Sequence, residues 1–145
     1  MELFEEVDIL LVEDSPNDAE LAIRALKKRG LANKMLWVKD GEQAINYLFR
    51  RGEYSQHGEA WPKLVLLDLK MPRVDGMEVL RTLKEDQRTR RIPVVILTSS
   101  QEERDLAQSY DLGVNSYVVK PMDFDVMADV VCQAGAYWLG VNRTP

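Results

Sequence analysis

Apolar positions along the chain fall into two kinds of run. Short runs rich in β-branched residues stand at 8–12, 35–38, 64–67, 94–97 and 116–119. Between them apolar residues recur at helical spacing. Ala19, Ala22, Ile23 and Leu26 share one helical face, as do Ala44, Ile45 and Leu48, and then Met77, Leu80 and Leu83. Leu106, Tyr110 and Leu112 mark a fourth helix, and Phe124, Met127, Ala128, Val131 and Gly135 a longer fifth. The runs LVLL and VVIL, at 64–67 and 94–97, are apolar without alternation. That is how strands buried on both faces read, so these two are expected mid-sheet. Five strand–helix units in strict alternation predict an α/β fold: a doubly wound, five-stranded parallel sheet with right-handed crossovers and helices on both faces. The run Ser15-Pro16-Asn17-Asp18 supplies a capping hydroxyl, proline at the first helical position and a carboxylate in the first turn. The first helix therefore starts directly after Glu13-Asp14. Residues 50–62 form a polar loop in which Trp61 is expected to pack over a helix end.

Composition narrows the function without naming it. The 145 residues suit one domain, with no linker and no separate output domain expected after the fifth helix. A net charge of −5 speaks against a nucleic-acid surface, which needs clustered cations. Cys132 and His57 are each alone in the sequence, which excludes an internal disulfide, a zinc cluster and a histidine triad. The amino-terminal MELFEEVDILLVED is acidic where a signal peptide is basic. No apolar run has the length of a membrane span, so a cytoplasmic protein without membrane contact is expected.

The chemistry lies where the strands end. In an open parallel sheet, ligands bind beyond the carboxyl ends of the strands, at a switch in strand order. The first strand ends in Glu13-Asp14, the third in Asp68, the fourth in Thr98-Ser99-Ser100 and the fifth in Lys120-Pro121. Each taken alone reads as a turn residue or a helix cap. Together they emerge on one edge. Three close carboxylates repel one another unless a hard cation sits among them, and magnesium takes oxygen ligands while keeping several waters. A Mg2+ ion there would neutralise an incoming phosphoryl group, with Asp68 as a carboxylate nucleophile that becomes an acyl phosphate. Lys120 would act on the remaining oxygens as a point charge, and Thr98 would donate its hydroxyl.

LLVEDSPND, LVLLDLKMPRVDGMEVL, VVILTSS and GVNSYVVKP, in that order, resemble the response-regulator receiver family of two-component signalling. The resemblance runs from Asp8 to about Leu139 and implies the flavodoxin-like (βα)5 receiver fold. It implies Asp68 as phospho-acceptor, and Asp14, Glu13, Asp68 and the carbonyl of Lys70 as magnesium ligands. It implies Lys120 as the phosphoryl holder, and Thr98 and Tyr117 as the switch pair, Tyr117 swinging inward as Thr98 moves. Pro121 is expected behind a cis peptide bond. Pro72 and Gly76 are expected to shape the loop after the acceptor, Gly76 through a positive φ. Lys70 is expected near the phosphoryl group or nearby acids, where it would alter acyl-phosphate lifetime. The implied partners are a sensor histidine kinase or phosphotransfer protein and a downstream target protein, or a second copy in a homodimer. The protein would be a signalling phospho-acceptor rather than an enzyme, apart from its own phosphorylation and dephosphorylation.

The loop at 50–62 and the tail Ala136-Tyr137-Trp138-Leu139 resemble the phytochrome-associated single-domain subgroup. Trp138 would then lie on a dimer surface or close the core under the first strand, and its fluorescence is expected to report activation. Two rival readings fit less well. A haloacid-dehalogenase-type phosphohydrolase needs an aspartate where Lys70 stands, and a nucleotide-binding domain needs a glycine-rich loop after the first strand. A degenerate receiver is disfavoured by the intact set Glu13, Asp14, Asp68, Thr98 and Lys120.

Overall fold

The computed structural model describes residues 7–31, 34–55 and 61–144, so His57 and part of the predicted loop lie outside the described residues. The chain runs β1 (Ile9–Val12), α1 (Pro16–Lys28), β2 (Met35–Val38), α2 (Gly41–Leu48), β3 (Leu64–Leu67), α3 (Gly76–Glu85), β4 (Val94–Thr98), α4 (Glu103–Asp111), β5 (Ser116–Val119) and α5 (Phe124–Ala136). A single 3-10 turn (Gly52–Tyr54) follows α2, and a π-helical turn (Tyr137–Val141) extends α5. The five strands pair in parallel in the order β2-β1-β3-β4-β5. The order reverses between β1 and β3, the crevice where such sheets bind ligands.

Every residue of β1, β3 and β4 is buried, whereas most residues of the edge strands β2 and β5 are only half-buried. The unalternating runs therefore sit mid-sheet, as their pattern predicts. Successive side chains point to opposite faces, and each face has its own core. Leu10, Val12, Val65, Leu67, Val94 and Ile96 pack with α2 and α3. Ile9, Leu11, Leu64, Leu66, Val95 and Leu97 pack with α1 and α5. Each such aliphatic side chain contributes about 1.5–3 kcal/mol on burial. The α1–α5 contact is close enough that a Cβ on Gly135 would come within 2.7 Å of Leu26 Cδ2.

The cap of α1 forms as read: Ser15 Oγ accepts from the Asp18 amide at 3.3 Å, with Pro16 opening the helix. Helix α4 departs from its apolar pattern. Leu106 and Tyr110 face outward, 37% and 54% exposed, while Asp105 and Ser109 fill the inner face. Phe124 likewise opens α5 at 70% exposure, although Met127, Val131 and Gly135 behind it are buried. Trp61 packs against the first core, with the Arg50 guanidinium 4.4 Å from its ring centroid. Trp138 is half-buried against the second core and lines a groove with Pro62, Lys63, Ile92 and Pro93, at the amino ends of the strands. Trp138 thus packs against the core at the sheet edge opposite Asp68. Among the described residues no helix is long and apolar enough to cross a membrane.

Candidate functional site

The carboxyl ends of β1 and β3 bring Glu13, Asp14 and Asp68 together, with one ligand oxygen from each lying within 4.8 Å of the others. Glu13 and Asp68 are buried at 3% and 6% exposure, and Asp14 is exposed. Backbone bonds set this arrangement. The Asp68 amide donates to the Val12 carbonyl at 3.0 Å, and the Glu13 amide to the Val38 carbonyl at 3.1 Å, so both acids continue their strands. The Trp37 indole N–H donates to the Glu13 carbonyl at 2.7 Å and the Ser15 amide to Glu13 Oε2 at 3.2 Å.

Lys120 enters from the end of β5. Its Nζ lies 2.7 Å from Glu13 Oε1, 2.8 Å from Asp18 Oδ2 and 3.5 Å from Asp68 Oδ2. Three carboxylates thus surround one ammonium, with Asp14 beside two of them, and negative charge is in excess. The electrostatics follow from this crowding. Burial foremost, and then the Asp68 charge, raise Glu13 to about 7 against the opposing pull of Lys120. Burial alone would lower Lys120, but hydrogen bonds to Asp18 and Glu13 and the charge of Asp68 overcome it and raise it above the usual lysine range. The donor set is three hard carboxylate oxygens with an open, exposed side at Asp14, which suits a small divalent cation that keeps waters.

Thr98 is fully buried at the end of β4, where its carbonyl accepts from the Lys120 amide at 2.7 Å and its Oγ1 from the Ser100 amide at 3.3 Å. Tyr117 is half-buried, its hydroxyl donating to the Ser100 carbonyl at 3.1 Å. It borders a hollow of about 410 Å³ with Gln101, Glu102, Leu106 and Val119. Lys70 is exposed; its amide faces Asp68 Oδ1 at 3.5 Å, and its Nζ reaches Asp105 Oδ2 at 3.4 Å. Asp105 is 8% exposed and its Oδ2 also accepts the Ser100 hydroxyl at 2.5 Å. The Ser100 hydroxyl above all, with the Lys70 ammonium, holds its carboxyl below the usual range.

Two expectations are corrected. Among the described residues there is no cis peptide bond, so Lys120–Pro121 is trans. Trans is the ordinary preference of an X–Pro bond, and Lys120 is held by the hydrogen bond its amide donates to the Thr98 carbonyl and by three carboxylates instead. Gly76 does not have a positive φ; in this loop Arg73 does, at 66°. Gly76 is required for space, because a Cβ there would fall on the Asp68 carbonyl oxygen. Arg73 is held by Glu42 at 2.9 Å and Asp40 at 3.7 Å, which ties the loop after β3 to the start of α2.

Three contributors escape the strand-end pattern. Asp18 has a signal in the sequence, since a carboxylate in the first turn of a helix that starts at this edge points back toward it. Trp37 and Asp105 have none, because only the sheet order and the seating of α4 bring them in.

Residues 9–131 match the family described as the response regulator receiver domain. Among curated relatives, the probable methanogenesis regulatory protein FilR2 of Methanothrix harundinacea is 43% identical over 137 residues, 94% of this chain and 86% of the relative. The response regulator Rcp1 of Synechocystis is 39% identical over 137 residues, covering 94% and 92% of the two chains. Among solved structures, the phosphorylated cyanobacterial phytochrome response regulator RcpA superposes with a TM-score of 0.90 at 38% identity, over 97% of this chain and 99% of that one. The Mn(2+)-bound form of response regulator Rcp1 superposes with a TM-score of 0.88 at 38% identity, over 94% and 97%.

Proposed function

The chain belongs to the response regulator receiver family of two-component signalling, and from that premise we propose that Asp68 accepts a phosphoryl group with the help of Mg2+ and that the resulting change of surface is the signal. One observation carries the proposal: a buried carboxylate at the switch point of the sheet stands within 4.8 Å of two further acids and 3.5 Å from a lysine. A phosphorylated relative and a Mn(2+)-bound one support it.

Glu13, Asp14 and Asp68 would hold the Mg2+, with the Lys70 carbonyl as a further ligand. Bound there, the ion offsets charge on the phosphoryl oxygens. The chain supplies the rest. Asp68 attacks phosphorus in line with the leaving nitrogen of a phosphohistidine on a sensor histidine kinase or phosphotransfer protein; the P–N bond breaks as the P–O bond forms. Lys120, already poised 3.5 Å from Asp68 Oδ2, moves from Glu13 to the phosphoryl oxygens. Thr98 donates its hydroxyl to one of them, and Tyr117 follows into the vacated space beside its hollow.

Leu106 and Val119 border the same hollow as Tyr117 and are exposed, as are Tyr110 on α4 and Phe124 and Val126 on α5. Exposed apolar side chains beside the hollow and on α4 and α5 favour a protein partner, a downstream target or a second copy in a homodimer. The protein would work in the cytoplasm as a single receiver; FilR2 and Rcp1 are matched over 86% and 92% of their own lengths, which supports the single-receiver part of that reading. Likeness to a phytochrome response regulator supports a phytochrome-type sensor kinase as the donor.

Acetyl phosphate with Mg2+ is the direct test. Intact mass should rise by one phosphoryl group in the unsubstituted chain and not in Asp68→Asn. No rise, or an equal rise in the variant, would remove the mechanism.

A further inference from the structure

A buried acid on the inner face of α4, where an apolar residue would be expected, has no role in the chemistry above. Buried carboxylates are retained where something pairs with them. The partners of Asp105 come from two different places. One is the Ser100 hydroxyl at 2.5 Å, from the segment after β4 that also holds Thr98 Oγ1 through its amide and the Tyr117 hydroxyl through its carbonyl. The other is the Lys70 ammonium at 3.4 Å, two residues beyond the acceptor. Lys70 and Asp105 both line the groove of about 890 Å³ between the acceptor loop, α3 and α4, and their ion pair bridges it.

We propose that Asp105 is a positioning residue: it holds Lys70 across this groove, away from the phosphoryl group, and thereby sets how long the acyl phosphate survives. The proposal rests on Asp68 being the acceptor. Phosphorylation places close to two negative charges beside Lys70, so phosphoryl group and Asp105 compete for one ammonium. The Ser100 hydroxyl fixes the carboxylate and favours Asp105 in that competition. While Lys70 stays on Asp105, the face of the phosphorus opposite Asp68 is open to water. Water attacks there, the P–O bond to Asp68 breaks, inorganic phosphate leaves and the carboxylate is regenerated. Where Asp105 is replaced by a neutral side chain, Lys70 turns to the phosphoryl oxygens and crowds the approach of water.

The test is a double-substitution cycle on the full chain, phosphorylated with acetyl phosphate and Mg2+ and then freed of donor, with decay followed by intact mass. Asp105→Asn keeps size and can still accept from Ser100. It should slow decay by about three- to fivefold, the scale of a partly exposed ion pair. In a Lys70→Ala background the same substitution should change nothing. Unchanged or faster decay, or a slowing that persists without Lys70, overturns the proposal. If Asp105→Asn does not fold, Ser100→Ala frees the carboxylate and should show the same dependence on Lys70. Failure of the unsubstituted chain to take up a phosphoryl group overturns the acceptor reading and this proposal with it. Normal uptake with unchanged decay overturns this proposal alone.

Discussion

Gly76 illustrates how a single residue serves the site without touching its chemistry. Its amide donates to the Leu69 carbonyl at 3.0 Å, and a Cβ would overlap the Asp68 carbonyl oxygen and come within 2.6 Å of Leu69 Cα. Gly76→Ala should therefore push the end of β3 and α3 apart, costing about 3 kcal/mol as overpacking against backbone does. Chemical denaturation would check the loss, and an unchanged midpoint would count against the reading. The glycine stands out in VDGMEVL, yet its reason is not visible there. The sequence suggests a positive φ, whereas Arg73 takes that conformation and Gly76 supplies space. Asp68, Glu13 and Asp14 are legible because their places after buried strands follow from pattern alone. That Lys120 rests on Asp18 as well as on Glu13 is a matter of side-chain reach.

Among the elements, α3 is anchored at its end by Lys84. Its Nζ donates to the Arg90 carbonyl at 3.0 Å, the Ile92 carbonyl at 2.9 Å and Asn115 Oδ1 at 3.1 Å, joining α3 to the segments that open β4 and β5. Burial lowers this ammonium from 10.5 to about 8. Between those values the unfolded chain keeps a proton that the folded chain has released, so stability from this group rises with pH across the window. The strain is fully present below pH 8. Unfolding of the unsubstituted chain and of Lys84→Met, compared at several pH values, should show their difference moving in favour of lysine by about 1–2 kcal/mol, discounted because the side chain is half-buried. A flat difference would contradict it. Strands were the most legible elements, because burial on both faces leaves no polar position in LVLL or VVIL. Helix α4 was readable as a helix but not in its orientation. Its apolar residues Leu106 and Tyr110 face outward, and Asp105 and Ser109 are tolerated inside because Ser100, Lys70 and the helix's own carbonyls bond them.

At the scale of the molecule, the excess of carboxylates at one sheet edge is a reservoir of repulsion that a bound cation would relieve. Mg2+ should stabilise the fold, by about 2.7 kcal/mol at roughly 100 times its Kd, seen as a rise in Tm that Asp14→Asn abolishes. Trp37, whose indole holds the Glu13 carbonyl, should change its emission in the same titration, while Trp138 at the opposite edge should not. An equal Tm rise in the variant would place the cation elsewhere. The order of strands and helices, the buried strands and the set of groups at the strand ends were determined by the sequence itself, because hydrophobic periodicity and helix capping act over a few neighbouring residues. Tertiary structure alone decided that Asp18 joins Lys120, that Gly76 is needed for space, that Lys120–Pro121 is trans, and that Lys70 is held by Asp105. Those outcomes depend on distances between residues far apart in the chain, which exist only once the sheet has set its order and the helices have settled against it.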